Sequence, residues 1–285
     1  MNEIWMELIK VTLIIFVVGD LLGMGLELNP KNAFRGLKDF RFVTYSVLWS
    51  FVLGPLIAWL ITLVIPLEKP YAIGLILMGM TPCAPFLPKL TDRAKGDIGY
   101  TSAFMLLTSI LMVVYVPFAV PLMVKGLTVN ALDIARPLLL YIFLPLATGM
   151  VIVQALPILA PRIFAWVRRI TIFFTVILVI LNLIVYGKGL IGVAGSLAVA
   201  SQLIFFFILA GSAFWLSFGL KREQKIVLSL GMTTRNIGVA IAPLFVAVAI
   251  DEKATVMLVL GFLLMIFVSL LTAKWFTHAT KKQEG

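Results

Sequence analysis

The chain has 285 residues, of which 62% are hydrophobic and 13% charged. Soluble domains are about half apolar and about a quarter charged, so 23 basic and 13 acidic side chains are too few to cover a soluble fold of this size. The mean hydropathy of +1.11 points the same way, and together these values exclude a soluble enzyme, a nucleic-acid reader and a disordered tail. The formal net charge of +10 is then first a statement about membrane orientation. The single cysteine, Cys83, excludes an internal disulfide and a multi-cysteine metal site. The single histidine, His278, lies near the C-terminus, so no metal and no cofactor is expected.

A helix needs about 20 apolar residues to cross the hydrocarbon core. In chain order the candidates are Trp5–Leu26, Phe42–Pro66, Tyr71–Leu90, Ile98–Val124, Ala135–Leu156, Ile163–Tyr186, Ile191–Leu220, Lys225–Ile250 and Ala254–Phe276. The predicted class is an all-α polytopic membrane protein of about nine transmembrane helices, one transmembrane unit over residues 1–285. The seventh stretch is the longest and is expected to begin with a tilted or interfacial piece. The first has no basic n-region and no small-residue cleavage site, and it carries Glu3 and Glu7 ahead of its core. It reads as a retained helix rather than a signal peptide.

Basic residues alternate between the connections. Lys31, Arg35, Lys38 and Arg41 follow span one; Lys89, Arg93 and Lys95 follow span three; Arg162, Arg168 and Arg169 follow span five. Lys221, Arg222 and Lys225 follow span seven, and Lys274, Lys281 and Lys282 follow span nine. These 16 face 5 on the other side: Lys69, Lys125, Arg136, Lys188 and Lys253. The positive-inside rule puts the N-terminus outside and the C-terminus in the cytoplasm, as an odd number of crossings requires. A short chain without a transit peptide suits a bacterial inner membrane.

Two spans are interrupted. Span three contains Thr81-Pro82-Cys83-Ala84-Pro85-Phe86-Leu87-Pro88-Lys89, and three prolines in seven residues cannot continue a regular helix. Span eight contains Gly231-Met232-Thr233-Thr234-Arg235-Asn236-Ile237-Gly238 and then Pro243. If residues 1–124 are a first repeat lacking its first helix, and residues 134–276 the second repeat, both breaks fall at repeat position four, in helices of opposite direction. Both also contain Gly-Met-Thr. Paired interrupted helices in an inverted repeat point to a transporter site near the midplane.

These landmarks resemble the bile acid:sodium symporter family. The resemblance rests on Gly23-Met24-Gly25-Leu26-x-Leu28-x-Pro30, on the proline break followed by Thr91…Ala94-Lys95-Gly96-Asp97, and on Arg235-Asn236-x-Gly238-x-Ala240. It implies a panel domain and a core domain, two discontinuous helices crossing in the core, and substrate bound beside the crossing. It also implies sodium ligands, and here the chain departs from the family. Leu87-Pro88 stand where the sodium-binding members carry Ser-Asn, Met105 replaces a hydroxyl, and Leu230 or Gly231 replaces a glutamate. Arg235 replaces a glutamine of the second site, whereas Asn236 is kept. Ser50, in place of a glutamine, and Thr101 are left as a possible residual ion site. Ordinary two-sodium coupling is therefore not expected.

The charges inside the membrane carry the functional reading. Arg235 lies about 15 Å along its helix from the cytoplasmic end, where an arginine costs roughly 2.5–3.5 kcal/mol on insertion scales. It is either a structural group satisfying carbonyls of a broken helix or a fixed cation facing an anionic substrate. Lys89 is either a snorkelling helix-end lysine or a second surrogate cation that can titrate. Asp20, about 9 Å from its helix end, needs a partner, and Lys89 is the coupling or ion-pair candidate. The expected substrate site comprises Lys89, Arg235, Asn236, Thr233 and Thr234. The expected function is secondary transport of a small organic anion, sodium-independent or proton-coupled, with membrane lipids but no nucleic acid as other partners. The alternative is a transporter-fold sensor or passive pore without coupled turnover. Cys83 beside Pro82 also resembles the arsenite carriers, but the acid they pair with it is absent.

Overall fold

The computed structural model describes residues 3–28, 30–124, 131–193, 197–246 and 252–284. Lys125 of the charge tally and Ile250, the expected end of span eight, lie outside them. The helices are α1 (Glu3–Glu27), α2 (Pro30–Leu37), α3 (Phe40–Val47), α4 (Gly54–Val64), α5 (Lys69–Gly79), α6 (Leu87–Arg93) and α7 (Ile98–Met123). They continue with α8 (Ala131–Leu138), α9 (Leu144–Ala155), α10 (Ala160–Val193), α11 (Leu197–Trp215), α12 (Arg222–Thr233), α13 (Ile237–Val246) and α14 (Glu252–Glu284). Two wide π-helical turns, Leu48–Leu53 and Leu139–Phe143, join α3 to α4 and α8 to α9. Each precedes a proline, Pro55 or Pro145, at the start of the next helix, where the missing N–H disrupts the regular ladder.

Among the described residues seven helices are long and apolar enough to cross a membrane, rather than nine. The difference lies in expected spans three and eight. They are split into α5 with α6 and α12 with α13, of 11, 7, 12 and 10 residues, and no half alone reaches the roughly 20 residues a crossing needs. The seventh expected span is also corrected. Residues 191–193 finish α10, which has 34 residues, whereas α11 has 19. No proline lies between Tyr186 and Val193, so nothing ends α10 earlier. The basic stretch after α1 is not all loop: it folds in part as the short helix α2, packed along α7.

Packing separates two groups. α1 lies along α9 and α10. Gly25 and Gly149 let two backbones meet there: a Cβ on Gly149 would stand 2.5 Å from the Leu22 carbonyl oxygen. The second group has α5 against α4 and α14, and α11 against α12 and α14. This is the panel-like and core-like arrangement, with the broken helices in the core. Many large apolar side chains face outward, among them Phe118, Leu122, Ile158, Trp166 and Phe173, as expected where lipid replaces water.

At the basic end, one carboxylate ties three spans together. Asp39 starts α3, and its Oδ1 accepts the Phe42 N–H at 3.1 Å. Its Oδ2 accepts the Tyr100 hydroxyl of α7 at 3.0 Å and the Gln224 side-chain amide of α12 at 2.9 Å. Burial works against the ion, but these hydrogen bonds outweigh it and hold the Asp39 carboxyl below the usual carboxylate range. A lowered value in the folded protein means the stabilisation is complete above the unfolded value of about 3.9 and is lost as pH falls through the folded one. Asp39→Asn should therefore lower the melting temperature near neutral pH, and the gap to the unmodified protein should close in acid. Melting curves at neutral pH and below about pH 3.9 check this; an equal gap at both contradicts it.

Candidate functional site

The site is built on the two breaks. α5 stops at Gly79 and α6 starts at Leu87; α12 stops at Thr233 and α13 starts at Ile237. The intervening segments run past each other as a short antiparallel bridge at Pro82 and Arg235. The Cys83 N–H donates to the Thr234 carbonyl at 2.8 Å, and the Asn236 N–H donates to the Thr81 carbonyl at 2.9 Å. Backbone groups freed by the prolines are thus satisfied by the opposite break, the condition for irregular backbone at membrane depth. Cys83 adopts φ +70° to make the turn, an uncommon conformation for a residue with a side chain. The Asn236 side chain accepts the Val239 N–H at 3.2 Å and so caps α13.

This geometry gives the crossing a polarity. The C-terminal ends of α5 and α12 both arrive there, and a helix C-terminus carries a partial negative charge. Arg235 stands between them, 1% exposed. Its backbone N–H donates to Met265 Sδ at 2.8 Å, and its guanidinium carbon lies 5.2 Å from the centroid of the Phe205 ring. None of its three side-chain nitrogens has a hydrogen-bond partner among the described residues. The charge is met by helix ends and an aromatic face rather than by a carboxylate.

Beside the crossing, between the panel and core groups, lies a cavity of ≈ 330 Å³. Asp20 and Glu27 of α1, Lys89 of α6 and Arg168 of α10 line it, as do Arg235 and Asn236. Its walls are otherwise largely apolar, including Phe16, Phe164, Phe262 and Ile266. A second, apolar cleft of ≈ 50 Å³ continues toward the other end of the bundle, sharing Phe16, Thr175, Ile237 and Phe262 with the first.

The structure thus brings together Asp20, Lys89, Arg235 and Asn236 of the residues expected from sequence. Thr233 and Thr234 do not line the cavity. Both are buried, with the Thr233 hydroxyl 3.0 Å from the Leu230 carbonyl and the Thr234 hydroxyl 3.0 Å from the same oxygen. Ser50 sits in the first π-helical turn with its hydroxyl 3.7 Å from Met232 Sδ. Thr101 places its hydroxyl 2.8 Å from the Asp97 carbonyl and 3.1 Å from the Thr91 hydroxyl, so Ser50 and Thr101 face different elements. Glu27 and Arg168 were missed. Glu27 is seven residues beyond Asp20, two turns along the same face, and Arg168 shares a face of α10 with Thr171 and Thr175. Glu27 lies one residue beyond the expected end of span one, and Arg168 counts in the sequence only among the basic residues that follow span five.

A polytopic helical bundle with two bridged half-helix pairs beside a charged cavity is the architecture of a secondary transporter. The family model described as the Sodium Bile acid symporter family matches residues 12–192, more than half of the chain, and the chain belongs to that family. It is a membrane transporter; among the described residues no group of three His, Cys, Asp or Glu side chains is placed to hold a metal ion. No curated protein matches the chain.

A buried cation without hydrogen-bond partners is not a source of stability. Arg235→Met, similar in length and free of charge, should leave the melting temperature unchanged or raise it by on the order of 1 kcal/mol equivalent, while transport falls. Thermal melting of the purified variant checks this. A drop of several degrees would mean that the guanidinium holds the broken helices together.

Proposed function

We propose that the protein carries a small organic anion across the membrane through the cavity between panel and core, without stoichiometric sodium. The cavity itself carries the reading: Lys89 and Arg168 reach it from different groups of helices, and its remaining walls are largely apolar. An anion leaving water needs a paired positive charge, and an apolar wall offers none. Its organic part is suited by Phe16, Phe164 and Phe262. Asp20 and Lys89 act across the panel–core boundary as the pair whose electrostatic interaction changes when the cavity fills.

Arg235 supports the sodium-independent part. It stands at the convergence of two half-helix C-termini, the place where transporters of this kind coordinate a cation. Its guanidinium is a tethered cation that cannot leave with the substrate. Asn236 positions the positive end of α13 behind the cavity. Thr233 and Thr234 act through the break they terminate, and Ser50 and Thr101 do not form one joint ion site.

In this reading the broken pairs each complete one crossing, giving nine in all. Residues 1–124 and 134–276 are the two inverted repeats, and the basic end faces the cytoplasm of a bacterial inner membrane. The larger cavity then opens on the cytoplasmic side of the crossing, and the narrow apolar cleft closes the outer side. Uptake of labelled carboxylates into proteoliposomes, with sodium replaced by choline, tests the function. Saturable uptake that changes less than about twofold on replacement is expected. A strict requirement for sodium would overturn the tethered-cation reading, and no saturable uptake of any carboxylate would overturn the transport reading.

A further inference from the structure

Two acids and two bases line the cavity in addition to Arg235, and their arrangement is unequal. Lys89 interacts electrostatically with Arg168, Glu27, Asp20 and Arg93. Glu27, exposed at the end of α1, is acted on by both Lys89 and Arg168. Asp20 lies about 10 Å deeper along the same helix, and Lys89 is the charged group that acts on it. α14 lends the cavity Phe262, Ile266, Ser269 and Leu270, which carry no charge. Asp92 lines an adjoining cavity of ≈ 310 Å³ together with Glu27 and Lys89. Among the described residues no two of Asp20, Glu27, Lys89 and Arg168 form a direct ion pair within 4.0 Å, unlike Lys253 and Glu68 at the surface. The four groups therefore face one another across open space that a ligand can enter.

Arg235 is held back from the open space, 1% exposed with its guanidinium against Phe205 beside two helix C-termini; with Asp20, Glu27, Lys89 and Arg168 all charged, the quartet that faces the open space is neutral. A monoanion makes it −1, inside walls that cannot solvate the excess. We propose that Asp20 is the proton carrier of the transport cycle. The entering anion takes Lys89 away from Asp20, and the Asp20 carboxylate then takes one proton from water in the open side of the cavity. The loaded site is neutral again, and anion and proton are carried together. Asp20 takes the proton rather than Glu27 because Glu27 keeps Arg168 when Lys89 is engaged, whereas among the described residues Lys89 is the one base that acts on Asp20. This rests on the reading of the cavity as an organic-anion site.

The test uses the purified full-length protein in detergent with benzoate as the probe and benzamide as its uncharged counterpart. Proton uptake on adding benzoate is read in weak buffer, and affinity is measured by calorimetry in two buffers of different ionisation enthalpy. About one proton per bound benzoate is expected, with affinity falling toward tenfold per pH unit in the alkaline range by linkage, and benzamide should take up none. Asp20→Asn should still bind benzoate but take up no proton and lose the pH dependence. Glu27→Gln, which keeps Asp20, should still take up the proton. Saturable benzoate binding by the unmodified protein without proton uptake, or uptake that persists in Asp20→Asn, overturns this proposal while leaving the anion site standing. If Asp20→Asn does not fold, the unmodified protein's stoichiometry and Glu27→Gln decide: loss of uptake in Glu27→Gln would assign the proton to Glu27 and overturn the proposal. No saturable benzoate binding at any pH between about 5 and 8 overturns the anion site itself, and the proposal with it.

Discussion

Backbone that leaves a helix inside a membrane must find hydrogen bonds from protein, and here each broken helix finds them on the other. The Cys83 N–H reaches the Thr234 carbonyl and the Asn236 N–H reaches the Thr81 carbonyl. In hydrocarbon each unsatisfied group would cost several kcal/mol. The two bonds therefore do more than fasten two loops: they make each break affordable because the other is present. That dependence fixes where the half-helices end, and so where four helix termini meet.

From that meeting point the electrostatics follow. Two C-terminal ends create a place that favours a positive charge, and Arg235 occupies it with its guanidinium against Phe205. The next residue, Asn236, turns the chain into α13 and caps it. One residue thus supplies the fixed cation and its neighbour directs a helix N-terminus toward the cavity side. In the family to which the chain belongs, the resemblance implies that this place is held by a mobile sodium ion. A covalently attached cation keeps the local charge but cannot be released. On our reading the free energy for transport must then come from elsewhere, which gives the acids on α1 their importance.

Much of this was legible in the sequence because the strongest signals are local. Apolar runs of about 20 residues, three prolines between Pro82 and Pro88, and the polar segment Gly231–Gly238 mark spans and breaks without any knowledge of packing. What sequence could not give was the orientation of side chains about the breaks. Thr233 and Thr234 precede Arg235 at the break and look like ligands in the sequence, but their hydroxyls are taken by the last carbonyls of α12. The charge tally treated Arg168 as a residue marking the cytoplasmic side, whereas α10 begins at Ala160 and carries it beside the cavity. Glu27 was hidden for a similar reason: at the last turn of α1 it reads as a helix terminus, and its tie to Lys89 depends on how α1 and α6 pack. Seven continuous spanning helices stand where nine were expected for a related reason, since an apolar run that is interrupted has the length of a span but is not one continuous helix.

The account turns on which part of the molecule holds the anion and which holds the cation. A structure determined with 4-bromobenzoate addresses both, because bromine is located by its anomalous scattering. We predict one bromine peak among Phe16, Phe164 and Phe262, the carboxylate directed at Lys89 and Arg168, and Arg235 still folded against Phe205. A bromine peak elsewhere in the bundle, or Arg235 swung into the cavity with a metal ion in its place at the crossing, would contradict the account.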